Sequence, residues 1–201
     1  MAYSQNKEEE VILKYFEGKT GTFLSVGEND GITFSNVRAL AERNWRGIMV
    51  EPSPKAFDKL KALYEGHKGF YIYPFAIGSH NGKAMLQESG PLCSANDIGL
   101  VSTFHNSEMD RFKRTVSYTP IEVKIYKWKT FLNRLTIKEF DFISIDVEGN
   151  ELDILPDMDL SKASCVCLEW NSKQELKTEY EKYLEGFKLI YTSGENLIYA
   201  R

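Results

Sequence analysis

A chain of 201 residues with 42 % hydrophobic and 27 % charged residues is long enough for one domain with a full core, and its composition is that of an ordinary globular protein. Its formal net charge of −4 disfavours a free-standing nucleic-acid binder, which carries a basic excess. The polar, acidic start from Met1 to Glu10 lacks the apolar stretch of a signal peptide, and no apolar run reaches membrane-spanning length.

The three cysteines make no disulfide framework and no zinc pair. Cys165 and Cys167 stand two apart on an apolar run and read as small core residues, while Cys93 lies in a loop. Reduced thiols fit a cytoplasmic location.

Helix-like and strand-like segments alternate along the chain. Val11, Ile12, Tyr15 and Phe16 mark one face of an opening helix, and Thr22 to Val26 reads as a buried strand. Gly27 to Gly31 is a turn, after which Phe34, Val37, Leu40 and Ala41 recur at helical spacing. Gly47 to Val50 is a second strand, closed by Glu51 and Pro52. Ser53 followed by Pro54 is a helix start, with a capping hydroxyl and then proline at the first helical position; Phe57, Leu60 and Tyr64 give that helix its apolar stripe.

Phe70 to Ile77 reads as a third strand. His80-Asn81-Gly82 is a hairpin signal, with Lys83 to Gln87 as the return strand. Residues 90–120 show no sustained period, so they are expected to form an excursion over a site, a lid or acceptor-side insertion, or else to be disordered. Ile121 to Tyr126 is a strand, and Trp128, Phe131, Leu132 and Leu135 form a helical stripe. Phe140 to Val147 and Ala163 to Trp170 are the most apolar strands. Leu176, Tyr180, Tyr183, Leu184 and Phe187 lie along one helix face. Lys188 to Thr192 and Leu197 to Ala200 are joined by only four residues, which forces them antiparallel. The expected fold is therefore α/β and Rossmann-like: a mainly parallel sheet with a C-terminal antiparallel hairpin and helices on both faces, all within a single domain over residues 1–201.

Ligands of such sheets sit beyond the carboxyl ends of the strands. Three features fall there: Gly27 to Gly31, Glu51, and Asp146-Val147-Glu148-Gly149. The first has the form G-x-x-x-G, with Asn29 where a dinucleotide fingerprint carries its middle glycine, so it is a poor pyrophosphate site. Glu51 follows Gly27 by 24 residues, the spacing at which an acid reaches a ribose. Asp146 ends its strand where a carboxylate can receive a proton or steady a positive charge. His105, with Glu108 and Asp110 nearby, is a candidate general base inside the 90–120 segment. A metal held by His105, Glu108 and Asp146 is conceivable, but no ligand spacing supports it, and no metal is expected.

The segments Phe23 to Gly31, Val50 to Pro54 and Asp141 to Glu151, in this order and spacing, resemble the FkbM-domain family of class I methyltransferases. The resemblance runs from about Thr22 to Trp170, and the terminal hairpin agrees with the class. It implies S-adenosylmethionine as cofactor and methylation of a hydroxyl oxygen on a small molecule or glycan. The implied cofactor contacts are Ser25, Gly27, Glu28, Asn29, Asp30, Gly31, Glu51, Pro52 and Asp146, with Asp146 and His105 as catalytic candidates. The chain departs from the family pattern at Ser25, where an aspartate is usual, and at Glu28, where an alanine is usual. That leaves Glu28 or Asp30 to supply the acid of this turn. The alternatives weighed are a nucleic-acid methyltransferase, a non-catalytic S-adenosylmethionine-binding domain and a nicotinamide oxidoreductase. No membrane is expected as a partner.

Overall fold

In the computed structural model, which describes residues 3–93 and 99–201, the alternation of periods becomes a seven-stranded sheet between two helical layers. The chain opens with helix α1 (Glu8–Tyr15). It then alternates through β1 (Thr22–Val26), α2 (Arg38–Ala41), β2 (Arg46–Val50), α3 (Pro54–Tyr64) and β3 (Phe70–Tyr73). Next come β4 (Ala76–Ile77), β5 (Gly82–Ser89), α4 (Asn106–Phe112), β6 (Tyr118–Tyr126) and α5 (Trp128–Leu132). The chain ends in β7 (Phe142–Ile145), β8 (Cys165–Glu169), α6 (Gln174–Glu181), β9 (Lys188–Thr192) and β10 (Asn196–Ala200).

The main sheet has the order β3-β2-β1-β7-β8-β10-β9. The first five strands run parallel, and β10 pairs antiparallel with both β8 and β9. The closing hairpin is thus where the four-residue connection demanded it. Residues alternate between the two faces with the period of a strand. Leu24, Ile48, Ile143, Val166 and Leu197 pack with α5 and α6 against one face, whereas Phe23, Met49, Phe142, Cys167 and Ile198 pack with α1, α2 and α3 against the other. Ser53 caps α3 as its sequence requires, its side chain accepting from the Ala56 N–H at 3.4 Å with Pro54 in the first turn.

Four local expectations change. Phe70 to Ile77 is not one strand. Pro74, which has no N–H to give a ladder, interrupts it, and β3 joins the main sheet while β4 joins a second sheet. The turn at His80-Asn81-Gly82 does not close a β4–β5 hairpin. Instead β6 lies between them, parallel to β4 and antiparallel to β5, and Asn81 Oδ1 accepts from the Lys127 N–H at 2.9 Å. The 90–120 segment holds α4 and the opening of β6, and Thr103 bridges to Gln87; residues 94–98 of the expected excursion lie outside the described residues. The helical spacing from Phe34 to Ala41 yields only the single turn of α2, because Phe34 adopts φ +58°. Among the described residues, no helix is long and apolar enough to cross a membrane.

Candidate functional site

From β1 the chain goes outward to β2 and β3, then returns to β7 on the other side of β1. This reversal opens a crevice at the carboxyl ends of β1 and β7. A cleft of about 260 Å³ lies there. Ser25, Gly27, Glu28, Asn29, Glu51, Pro52 and Asp146 all line it, so seven of the expected contacts converge from three strand ends. Asp30 and Gly31 do not line it. Asp30 folds onto its own turn, accepting from the Ile32 and Thr33 N–H groups at 2.9 and 2.7 Å, and Gly31 lies against Leu60 and Leu63 of α3.

The departures at positions 25 and 28 meet each other. Ser25 Oγ donates to Glu28 Oε2 at 2.5 Å, and Ser35 Oγ donates to Oε1 at 2.6 Å. Glu28 is 4 % exposed, and burial pushes its carboxyl up to about 7. Glu51 is equally enclosed. Its Oε2 accepts from the Asn29 N–H and its Oε1 from the Ser53 N–H, each at 2.8 Å, and burial again raises it to about 7. Each Glu51 oxygen keeps a lone pair for a further donor. Asn36, also on the cleft, reaches Ser144 Oγ through Nδ2 at 3.4 Å, while its buried Oδ1 has no partner.

On the opposite wall Asp146 follows β7, and burial together with the charge of Glu151 pushes it up to about 7. Glu151 is a structural tie. Its Oε1 accepts from the Val147 and Gly149 N–H groups at 3.1 and 3.4 Å. The residue the sequence reading passed over is Glu169, the last of β8. It is 5 % exposed and lines the cleft, and its Oε2 accepts from the Glu148 N–H at 3.1 Å. An acid closing an apolar run is the signal that singled out Glu51 and Asp146, and it was available here too. Tyr180 donates to the Glu169 carbonyl at 2.6 Å from a fully buried position. Replacing it with phenylalanine is expected to cost about 1–2 kcal/mol of stability. A thermal melt that does not move would show the bond carries no weight.

His105 lies off the lining of the cleft. Its Nε2 is 2.9 Å from Asn150 Oδ1, and it begins α4. Glu108 pairs with Lys173 and Arg111, which hold its carboxyl below the usual range despite burial. Neither side chain is brought to Asp146 as a joint metal site.

The sequence profile of the methyltransferase FkbM domain matches residues 25–189. A search of curated proteins finds no sequence match. Solved structures show the fold again. A ribosomal protein L11 methylase from Lactobacillus delbrueckii subsp. bulgaricus aligns with TM-score 0.50 and 14 % identity over 97 % of this chain and 77 % of its own. M. capricolum TrmK, solved with S-adenosyl-homocysteine, aligns at 0.51 and 11 % over 99 % and 68 %. Aeropyrum pernix fibrillarin, solved with natively bound S-adenosyl-L-methionine, aligns at 0.50 and 11 % over 90 % and 66 %. With the profile covering most of the chain and the sheet carrying the terminal hairpin, the protein belongs to the FkbM-domain family of class I S-adenosylmethionine-dependent methyltransferases.

Proposed function

We propose that the chain methylates a hydroxyl oxygen on a small molecule or glycan. The observation that carries this reading is the charge of the cleft: six acidic side chains line it against the one basic side chain of Arg111, among the described residues. A phosphodiester backbone would meet repulsion there, whereas a neutral polyol would meet hydrogen-bond acceptors. The reading takes residues 1–201 as one domain. It also takes the cytoplasm as the setting, supported by Cys165 and Cys167 as buried thiols.

The residues fit the donor. Glu51 would accept from the ribose hydroxyls with its unused lone pairs. Glu28, steadied by Ser25 and Ser35, and the unpartnered Asn36 Oδ1 would receive the ammonium of the methionine portion. Gly27, Asn29 and Pro52 would shape the wall, with Asp30 and Gly31 holding the turn from behind. When bound, S-adenosylmethionine supplies an electrophilic methyl group on a sulfonium. The protein's work is then alignment and water exclusion, and Asp146 is the carboxylate in position to receive the hydroxyl proton. Residues 99–102 and Phe104, with Arg111 and Phe112 of α4, line the cleft, and they are our candidate for a lid over the acceptor. His105 contributes by seating Asn150 rather than as the base.

Glu51→Ala is expected to weaken S-adenosylhomocysteine binding by about 1–3 kcal/mol in calorimetry. A 2′-deoxyribose analogue should bind wild type and variant almost equally; continued strong discrimination by the variant would assign the ribose to another residue. The activity test is methyl transfer from labelled donor to a panel of hydroxylated small molecules and glycans beside RNA. Transfer to RNA alone would sink the hydroxyl reading, and donor binding with no transfer to any acceptor would favour a binding domain.

A further inference from the structure

One carboxylate oxygen from each of Asp146, Glu148 and Glu169 lies within 4.8 Å of the other two. Oxygen ligands stand about 2.1–2.4 Å from a hard divalent cation, so two on opposite sides of one ion are about 4.2–4.8 Å apart. The three oxygens therefore fit one coordination sphere. All three residues line the cleft, where Glu169 is buried and Asp146 and Glu148 are half-buried.

The backbone builds this arrangement. Ile145 of β7 pairs with Leu168 of β8, so the next residues, Asp146 and Glu169, emerge side by side. Glu148 is turned back toward them by its own φ of +50° and by Gly149 at +105°. That conformation is unfavourable for a glutamate and is held from outside. The Glu148 N–H donates to Glu169, and Thr103 Oγ1 donates to the Glu148 carbonyl at 2.7 Å.

Two polar groups at this place lack a partner. Glu148 Oε2 is buried and accepts no hydrogen bond; the nearest cation, Arg111 Nη1, is 3.8 Å away and already pairs with Glu108 at 2.6 Å. Asn150 is 7 % exposed and lines the cleft. One end of its amide meets His105, and the other has no partner. A neutral histidine nitrogen accepts as readily as it donates, so the amide also seats with its nitrogen on His105 and its oxygen at the open end. A cluster of like charges with unfilled acceptors calls for a cation.

We propose that Asp146, Glu148 and Glu169, joined by the Asn150 amide oxygen, bind one divalent cation of the Mg²⁺, Mn²⁺ or Ca²⁺ class. An all-oxygen donor set selects such hard ions over softer ones. The ion would hold a substrate hydroxyl beside the donor cleft and lower its pKa. Asp146 would then ligate through one carboxylate oxygen and receive the released hydroxyl proton on the other. Binding of the ion stands apart from the acceptor reading; only its use on a hydroxyl rests on that reading.

The test is titration of the chelator-treated chain with Mn²⁺, followed by electron paramagnetic resonance and calorimetry, with and without S-adenosylhomocysteine. One site that Mg²⁺ displaces is expected. Glu148→Gln and Glu169→Gln should each weaken it by about tenfold or more. Both variants should melt no lower than wild type in EDTA, since each removes a repelling charge. Glu51→Gln, at the other end of the cleft, should leave Mn²⁺ binding intact. No saturable site in wild type up to about 10 mM Mn²⁺, or a site that ignores both cluster variants, would overturn the proposal. S-adenosylhomocysteine affinity measured in EDTA reports the donor site separately, so a failure there is not mistaken for a failure here.

Discussion

Gly27→Ala is expected to cost about 3–5 kcal/mol of folding stability, enough to lower the melting temperature by about 10 °C in a chain of this size. Gly27 adopts φ +82°, a region where any L residue with a Cβ is strained by about 1–2 kcal/mol. The larger part of the effect is contact. A Cβ on Gly27 would lie 1.7 Å from the Asp146 carbonyl oxygen, a backbone atom that cannot rotate away. That carbonyl belongs to the β7 end, which is tied to β1 by the Asp146 N–H donating to the Val26 carbonyl at 3.0 Å. Relief requires β1 and β7 to part at the point where the cleft is built. Gly66→Ala separates the two terms. Gly66 adopts φ +78°, and a Cβ there meets nothing within 4 Å, so it should lose only the backbone part, about 1–2 kcal/mol. Urea melts of the two variants measure the difference. Equal losses would mean that the ends of β1 and β7 yield freely. The glycine is thus required by the protein's own backbone before any ligand arrives.

Stability of the ligand-free protein in EDTA should fall as pH rises from about 4.5 to about 8. Glu28 and Glu51 ordinarily titrate at 4.5 and are pushed by burial to about 7 in the fold. Between those values the folded state holds protons that the unfolded state has released, so raising the pH favours unfolding. The stabilising contribution is whole below about 4.5 and is lost as pH climbs through 7. For each group the interval corresponds to about 3 kcal/mol, an order-of-magnitude figure. Glu108, held low by Lys173 and Arg111, contributes in the opposite sense as pH falls, which narrows the slope at its acid end. Thermal melts at pH 5.5, 7 and 8 measure the trend, and Glu28→Gln with Glu51→Gln in one chain should make it shallower, leaving the share carried by Asp146, which is also raised to about 7. A wild-type melting temperature that rises across this range would refute the claim that these carboxyls are buried without compensation. The cationic donor should raise the melting temperature more at pH 8 than at pH 5.5, because the ionised carboxylates then find their partner.

What the sequence determined by itself is what short-range physics controls. The apolar run of β1 with its glycine turn, the Ser53-Pro54 start of α3 and the three residues between β9 and β10 each specify their structure within a few residues. The acids Glu51 and Asp146 were legible because they close apolar runs, and the strand-end rule brings such residues to one edge. Tertiary structure decided the rest, because the deciding contacts join distant segments. Pro74 could be read as a break, but not that β4 would leave the main sheet, since the alternative partner β6 lies some forty residues further on. The Asn-Gly signal did not produce a hairpin, because pairing with β6 satisfied both neighbouring strands. Asp30 and Gly31 shared a motif with Gly27, yet the turn directs Asp30 back onto its own backbone and sets Gly31 against α3. The partnership of Asp146 with Glu169 depends on β7 lying beside β8, and that of Glu28 with Ser25 on the curl of the turn. Periodicity carries the identity of an element and its buried face. Which strand ends meet depends on packing across the whole sheet, and the chemistry of this cleft comes from that packing.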